Sequence, residues 1–331
     1  MKTTRMIGVL LLLLGSILPC RAQECSVDLL VAYTSEVANR LGGDSAAVAE
    51  IASAVAEMNR VLIYSEVRHE VRLVRIHRLS NWEGACFADD LNRFSQDVSI
   101  AQLRNRYHAD VAALVLANDD YCGLPLFDDS LANGTTAFCA VNYRCMRENY
   151  ALSHQMAHLY GCGHIAESAD EVDSAPYVTG HGFKWAFNEQ ASLSTVIGVY
   201  DDAFCFREGE LGCDVIPYFS NPAVSYRGVP LGESGVHNNA AVLNANAPQI
   251  GRFRRVPRIK RWLGDVVLKH NFAYVLATDT LGNGGQYRIQ DSARVIFRAG
   301  KRIELNPGFR TGEGAHFETV LETPAAECGT Q

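Results

Sequence analysis

The segment Ser153-His154-Gln155-Met156-Ala157-His158-Leu159-Tyr160-Gly161-Cys162-Gly163-His164 is the richest in ligand-type spacing among the 331 residues. His154 and His158 are four apart, so on a helix their imidazoles share one face, one turn apart. Gly161 can take a positive φ and stop that helix. The chain can then turn back and bring His164 to the same point. Three neutral imidazoles leave a fourth tetrahedral position open, the arrangement of a catalytic rather than a structural zinc site. One Zn2+ ion is therefore expected on His154, His158 and His164. The bland alternative is a buried amphipathic helix over Tyr150 to Tyr160 whose histidines simply pack, with Gln155 a good helix former on a solvent-facing position. His69, His77, His108, His237, His270 and His316 show no ligand spacing.

The flanking pattern supplies elements able to position such a site. Val27 to Thr34 is β-rich and reads as a buried strand. Asp44 is expected to cap a long helix whose apolar positions, Val48, Ile51, Val55, Met58 and Leu62, recur at spacings of three and four. Val67 to Leu79 alternates polar and apolar like a half-exposed strand. Asp89 to Tyr107 reads as a second helical stretch, Asp110 to Ala117 as a central strand, and Thr136 to Asn142 as a short fourth strand. This strand–helix alternation implies a mixed, mostly parallel sheet covered by helices. Residues 165–238 are irregular. Asn238 to Phe253 is helical again, Arg254 to Pro257 reads as a linker, and 258–331 holds short strand-like runs that imply a small all-β C-terminal domain.

Composition narrows the class. Hydrophobic residues make up 48% and charged residues 20%, as in a globular protein with real cores. The net charge of −7 has the wrong sign for a partner bound through phosphates, so no nucleic acid is expected. Lys2 and Arg5, the apolar run Met6 to Leu18 and the Cys20-Arg21-Ala22 end read as a signal peptide over 1–22 cleaved after Ala22. A secreted or surface location follows. No stretch is long and apolar enough for a membrane span. Pro19 argues against lipid attachment at Cys20. Losing Lys2, Arg5 and Arg21 takes the charge from −7 to −10 and leaves nine cysteines, so one is expected to be free or to pair outside the chain.

The histidine segment resembles the HExxHxxGxxH signature of the metzincin zinc metallopeptidases, read here as HQxxHxxGxxH. VDLLVAYT, Ala109 to Leu116 followed by Tyr121-Cys122-Gly123-Leu124, Gly180-His181-Gly182-Phe183 and Ile216 to Pro222 are similar to segments of the reprolysin-like (adamalysin-type) branch in its secreted bacterial form. The likeness covers about 25–253, and 23–257 is the expected catalytic-type domain. The resemblance implies a zincin-like α/β fold, metal ligands His154, His158 and His164, and a peptide or protein ligand adding to an edge strand, expected to be Thr136 to Asn142. His181 is expected to hold the loop after the ligands, and Tyr200 to lie near the metal or to pack. Residues 299–317 resemble a small β-stack module of secreted bacterial proteins.

Two departures bear on activity. Gln155 stands where the family has the glutamate that takes a proton from the zinc-bound water and passes it to the leaving amine; a carboxamide has no proton to exchange near neutral pH. Ile197 stands where the methionine of the turn beneath the metal is expected, a volume-conserving change. The leading expectation is a zinc-binding homologue with lost or strongly reduced peptidase activity. The alternatives are an active zinc endopeptidase and a metal-free structural or binding protein of the cell envelope. Cys122–Cys145 and Cys205–Cys213 are the expected disulfides.

Overall fold

The computed structural model describes residues 25–118, 120–126, 131–165, 179–188, 191–198, 213–254, 260–269, 271–277 and 279–322. The expected leader with its cut after Ala22, Tyr200, and Cys205 with its expected pairing lie outside the described residues.

The first strand, β1 (Cys25–Thr34), is buried at every position but Cys25. It is followed by α1 (Ser35–Leu41), α2 (Asp44–Tyr64), β2 (His69–Leu79), α3 (Phe87–Gln96), α4 (Val98–Tyr107), β3 (Val111–Leu116), β4 (Gly123–Pro125) and β5 (Phe138–Asn142). Strands β1–β2, β1–β3 and β3–β5 pair in parallel, and β4 pairs antiparallel with β5. The side-chain alternation of β1 splits the interior in two. Leu29, Val31 and Tyr33 face a core shared with α2, while Leu30 and Ala32 face one shared with α3 and α4.

Several expectations are corrected. Among the described residues the strand that ends this side of the sheet is β4, not Thr136–Asn142, because the chain after Cys122 folds back and covers β5. The expected single helix over Asp89–Tyr107 is two helices. Asp97 adopts φ −69, ψ 120, and its carboxylate accepts hydrogen bonds from the Ser99 and Ile100 N–H groups, capping a new start. Gly43, not Asp44, is the cap of α2; the Asp44 carboxylate instead holds the Tyr33 hydroxyl and Arg78. The irregular span contains β6 (Lys184–Asn188), β7 (Ala191–Ser194), β8 (Cys213–Val215), β9 (Asn221–Tyr226) and β10 (Val229–Leu231), which follow α5 (Ala151–Leu159) and precede α6 (Asn239–Ile250). Three described cysteines, Cys86, Cys139 and Cys162, are thiols, rather than the single odd one expected. Cys122–Cys145 is a disulfide, as expected, and Cys25 is disulfide-bonded too.

The C-terminal strands coil. β11 (Lys260–Leu263), β12 (Val266–Lys269) and β13 (Phe272–Ala277) form one turn. A second turn consists of β14 (Thr280–Asn283), β15 (Tyr287–Gln290) and β16 (Arg294–Ala299). The third comprises β17 (Arg302–Glu304), β18 (Phe309–Thr311) and β19 (His316–Leu321). Each strand pairs in parallel with its counterpart one turn on; Phe272 faces Arg294, which faces His316. Tyr287, Phe297, Phe309 and Phe317 pack against one another, Tyr287 stacked on Phe309 and edge-on to Phe297, and the Asn283 and Asn306 amides bond to one another's backbone between turns. Phe272 and Ala273 of β13 pair antiparallel with Ile76 and Arg75 of β2. The coil thereby extends the main sheet to eight strands, in the order β19-β16-β13-β2-β1-β3-β5-β4.

Candidate metal centre

Helix α5 starts after Tyr150, which takes the left-handed conformation at φ 56, and all nine of its residues are buried. It presents Leu152, Met156, Ala157 and Leu159 to the core beneath the sheet. The helix stops at Gly161, whose φ of 87 disfavours any side chain; its N–H bonds to the His158 carbonyl and the Cys162 N–H to that of Ala157. The chain then reverses and carries His164 back over the helix.

The reversal brings three ring nitrogens together. His154 Nε2 lies 3.0 Å from His158 Nε2 and 3.1 Å from His164 Nε2. The opposite nitrogens of two rings face carbonyls: His154 Nδ1 is 2.9 Å from Val196 O, and His158 Nδ1 is 3.0 Å from Cys162 O. A carbonyl only accepts, so Nδ1 carries the proton and donates. That leaves Nε2 as a bare lone pair in both rings. Lone pairs crowded at such distances repel unless a cation lies between them. Nitrogens at about 2.0–2.1 Å from zinc in a tetrahedral arrangement lie about 3.3 Å apart, close to the spacing here. The donor set therefore fits a zinc ion, and the two carbonyls are the outer partners that orient a metal-binding imidazole. Among the described residues, the ligand-type atoms gathered at this point are imidazole nitrogens only.

The loop carrying His164 is braced from below. Gly163 bridges to His181, whose Nδ1 donates to the His164 carbonyl at 2.9 Å, so His181 does hold the loop after the ligands. Ser220 donates to the His181 carbonyl at 2.6 Å, and the buried Asn239 amide donates to the Gly180 carbonyl at 2.7 Å. Ile197 is fully buried in the same core as α5; its neighbour Val196 supplies the carbonyl to His154 and donates its own N–H to Tyr218 O.

Gln155 is 1% exposed, which removes the solvent-facing alternative. Its side chain lies against β4: a Cβ on Gly123 would come within 2.6 Å of Gln155 Cγ and Nε2. The carboxamide therefore packs against the β4 backbone, and a side chain at position 123 would have to displace it. The supports Val196 O, Cys162 O, Ser220 and Asn239 escaped the sequence reading, because a carbonyl has no side-chain signature and Asn239 looks like any polar residue at a helix start.

Comparison with known proteins agrees with this geometry. Residues 23–195 match Reprolysin_5, described as metallo-peptidase family M12. A peptidyl-Asp metalloendopeptidase of Xanthomonas campestris pv. campestris is 32% identical over 234 residues, 69% of this chain and 52% of that protein. One of Stenotrophomonas maltophilia is 31% identical over the same share of this chain and 53% of its own length. The chain thus spans about half the length of the curated relatives it matches. A solved structure described as "Structure of a chaperone-substrate complex" aligns with a TM-score of 0.54 at 21% identity, covering 70% of this chain and 35% of that one, a likeness of fold alone. With more than half of its length matched and the histidine triad assembled, the chain belongs to metallo-peptidase family M12.

Proposed function

We propose that this is a secreted, zincin-like zinc protein that binds peptide or protein segments and has lost most of its peptidase activity. His154, His158 and His164 hold one zinc ion, which supplies Lewis acidity toward a carbonyl oxygen and a water molecule. Val196 and Cys162 fix the imidazole tautomers, and His181, braced by Ser220, fixes the loop of His164. The observation that carries the reading is the convergence of three Nε2 atoms at 3.0–3.1 Å beside a buried carboxamide. Gln155 can donate from Nε2 and accept at Oε1, so it can orient a water or a peptide carbonyl, but it neither takes a proton nor returns one to a departing amine. Losing general acid–base help removes about 10²–10⁴ in rate.

The second reading, a working endopeptidase, draws on the relatives, whose name specifies peptide bonds at aspartate. One pair of measurements separates the two. Purified protein is expected to carry about one equivalent of zinc, and Gln155→Glu is expected to raise cleavage of an aspartate-containing unfolded protein by about 10²–10⁴ over wild type. Zinc below half an equivalent would refute the metal site. Ordinary wild-type cleavage, unchanged by the substitution, would make the second reading correct.

A further inference from the structure

The hydrogen-bond phase of β4 shows which of its main-chain groups face outward. Asn142 N–H donates to Cys122 O at 2.8 Å, and Leu126 N–H donates to Phe138 O at 2.9 Å. Leu124 lies opposite Ala140, midway between those two pairs. In an antiparallel ladder, groups aimed at the partner alternate with groups aimed away. Cys122, Leu124 and Leu126 therefore point their N–H and C=O toward β5, while Gly123 and Pro125 point theirs away from the sheet. Among the described residues nothing pairs with that side, since β4 ends the strand order. The side chains follow the same alternation: Leu124 packs into the core with α3, whereas Gly123 abuts Gln155 on the face of the histidine triad. The outward edge beside the metal-facing helix thus offers the Gly123 N–H, the Gly123 carbonyl and the Pro125 carbonyl. Proline has no N–H, so the fourth group of that ladder is missing.

We infer that Pro125 ends the backbone ladder between β4 and an extended peptide, so that a bound peptide is held by both groups of Gly123 and by the carbonyl, but no donor, of Pro125. The inference rests on the reading of the site as a peptide-binding zinc centre and adds which main-chain contact a bound peptide lacks there. A peptide carbonyl facing position 125 finds no partner in the wild type. A restored N–H there is worth the net value of one hydrogen bond, about two- to twelvefold in affinity. The same proline blunts the edge against pairing with other chains.

The test uses the zinc-loaded full chain, wild type and Pro125→Ala, with two probes. Acetohydroxamate reads the metal alone. An N-acetyl tetra-alanine hydroxamate anchors at the metal and lays a backbone along the edge, and a set of it carries one thioamide at each position in turn, a weaker acceptor that keeps its N–H. Acetohydroxamate is expected to bind both proteins equally, and the tetrapeptide two- to twelvefold tighter to Pro125→Ala. In the wild type the thioamide facing Gly123 is expected to weaken binding, while the one two residues along costs nothing; in Pro125→Ala both cost. The wild-type comparison needs no variant to fold. Equal tetrapeptide affinities, or equal sensitivity of the wild type at both thioamides, overturn the inference while acetohydroxamate binding leaves the metal site standing. Failure of acetohydroxamate to bind either protein overturns the metal site, and this inference with it.

Discussion

At position 155 a carboxamide has the size of a carboxylate and none of its proton chemistry. Its burial against Gly123 makes the effect local: Gln155→Glu keeps the packing and changes only the charge and the exchangeable proton, so activity is expected to rise with little change in zinc content. His158→Ala should act the other way. It removes one of three converging imidazoles, and metal analysis should find the zinc lost while Gln155→Glu retains it. Two other buried histidines bear on acid stability. Burial pushes His69, stacked on Tyr160, down to about 3, and His77, desolvated and beside Arg75, down to about 4. Both are depressed below the unfolded value near 6.5, so protons bind the unfolded chain more readily. Their stabilisation is complete above about pH 6.5 and is lost as pH falls toward those lower values. The melting temperature should therefore fall across that window, and less steeply in His69→Phe. Parallel slopes in wild type and variant would show that His69 contributes nothing.

Among the elements, β4 and α5 form the two walls of the site, and the Cys122–Cys145 disulfide ties the residue before β4 to the turn before α5. Closing a separation of 23 residues lowers the entropy of the unfolded chain by about 3 kcal/mol at 25 °C on the chain-entropy account. The Cys122→Ser, Cys145→Ser double variant is expected to lose about that much stability in denaturant titration. Hydrogen exchange at Leu124 and Leu126 should quicken more than at β1, since β4 has only one strand neighbour and only three residues. Uniform loosening would mean the bridge stabilises the whole molecule without holding this wall.

On the scale of the molecule, the C-terminal coils share a sheet and a core with the rest. Arg75 of β2 donates to the Phe272 carbonyl across the join, and Leu263, Val266, Tyr287 and Phe297 lie in one apolar cluster with Leu30, Val74 and Phe94. An interface that is both hydrogen-bonded and apolar couples the two parts. Calorimetry is expected to show a single cooperative transition rather than two. A chain ended at Arg254 would expose the β2 edge and that core, and should aggregate. Two resolved transitions, with a soluble shortened chain, would show that the join is weak.

The metal-facing residues were legible in the sequence because their signal is local: a four-residue spacing puts His154 and His158 on one face, and Gly161 marks where the helix stops. β1, β3 and β5 were legible as runs of β-branched and apolar residues, and β2 as an alternating strand, although none of its positions is exposed because α2 covers one face and the C-terminal coils add to its edge. Long-range pairing was not. Gly123-Leu124-Pro125 is too short, and contains both residues that strands avoid, so its identity as the edge exists only once β5 is there to pair with it. The coiling of 260–321 arises from parallel pairing between turns, a long-range register that the separate strand-like runs do not state. Spacing along the chain determined which side chains could meet at a metal. Tertiary pairing alone decided which carbonyls orient them, which strand borders the site and where its ladder ends, because backbone partners are chosen by the fold as a whole and carry no residue type of their own.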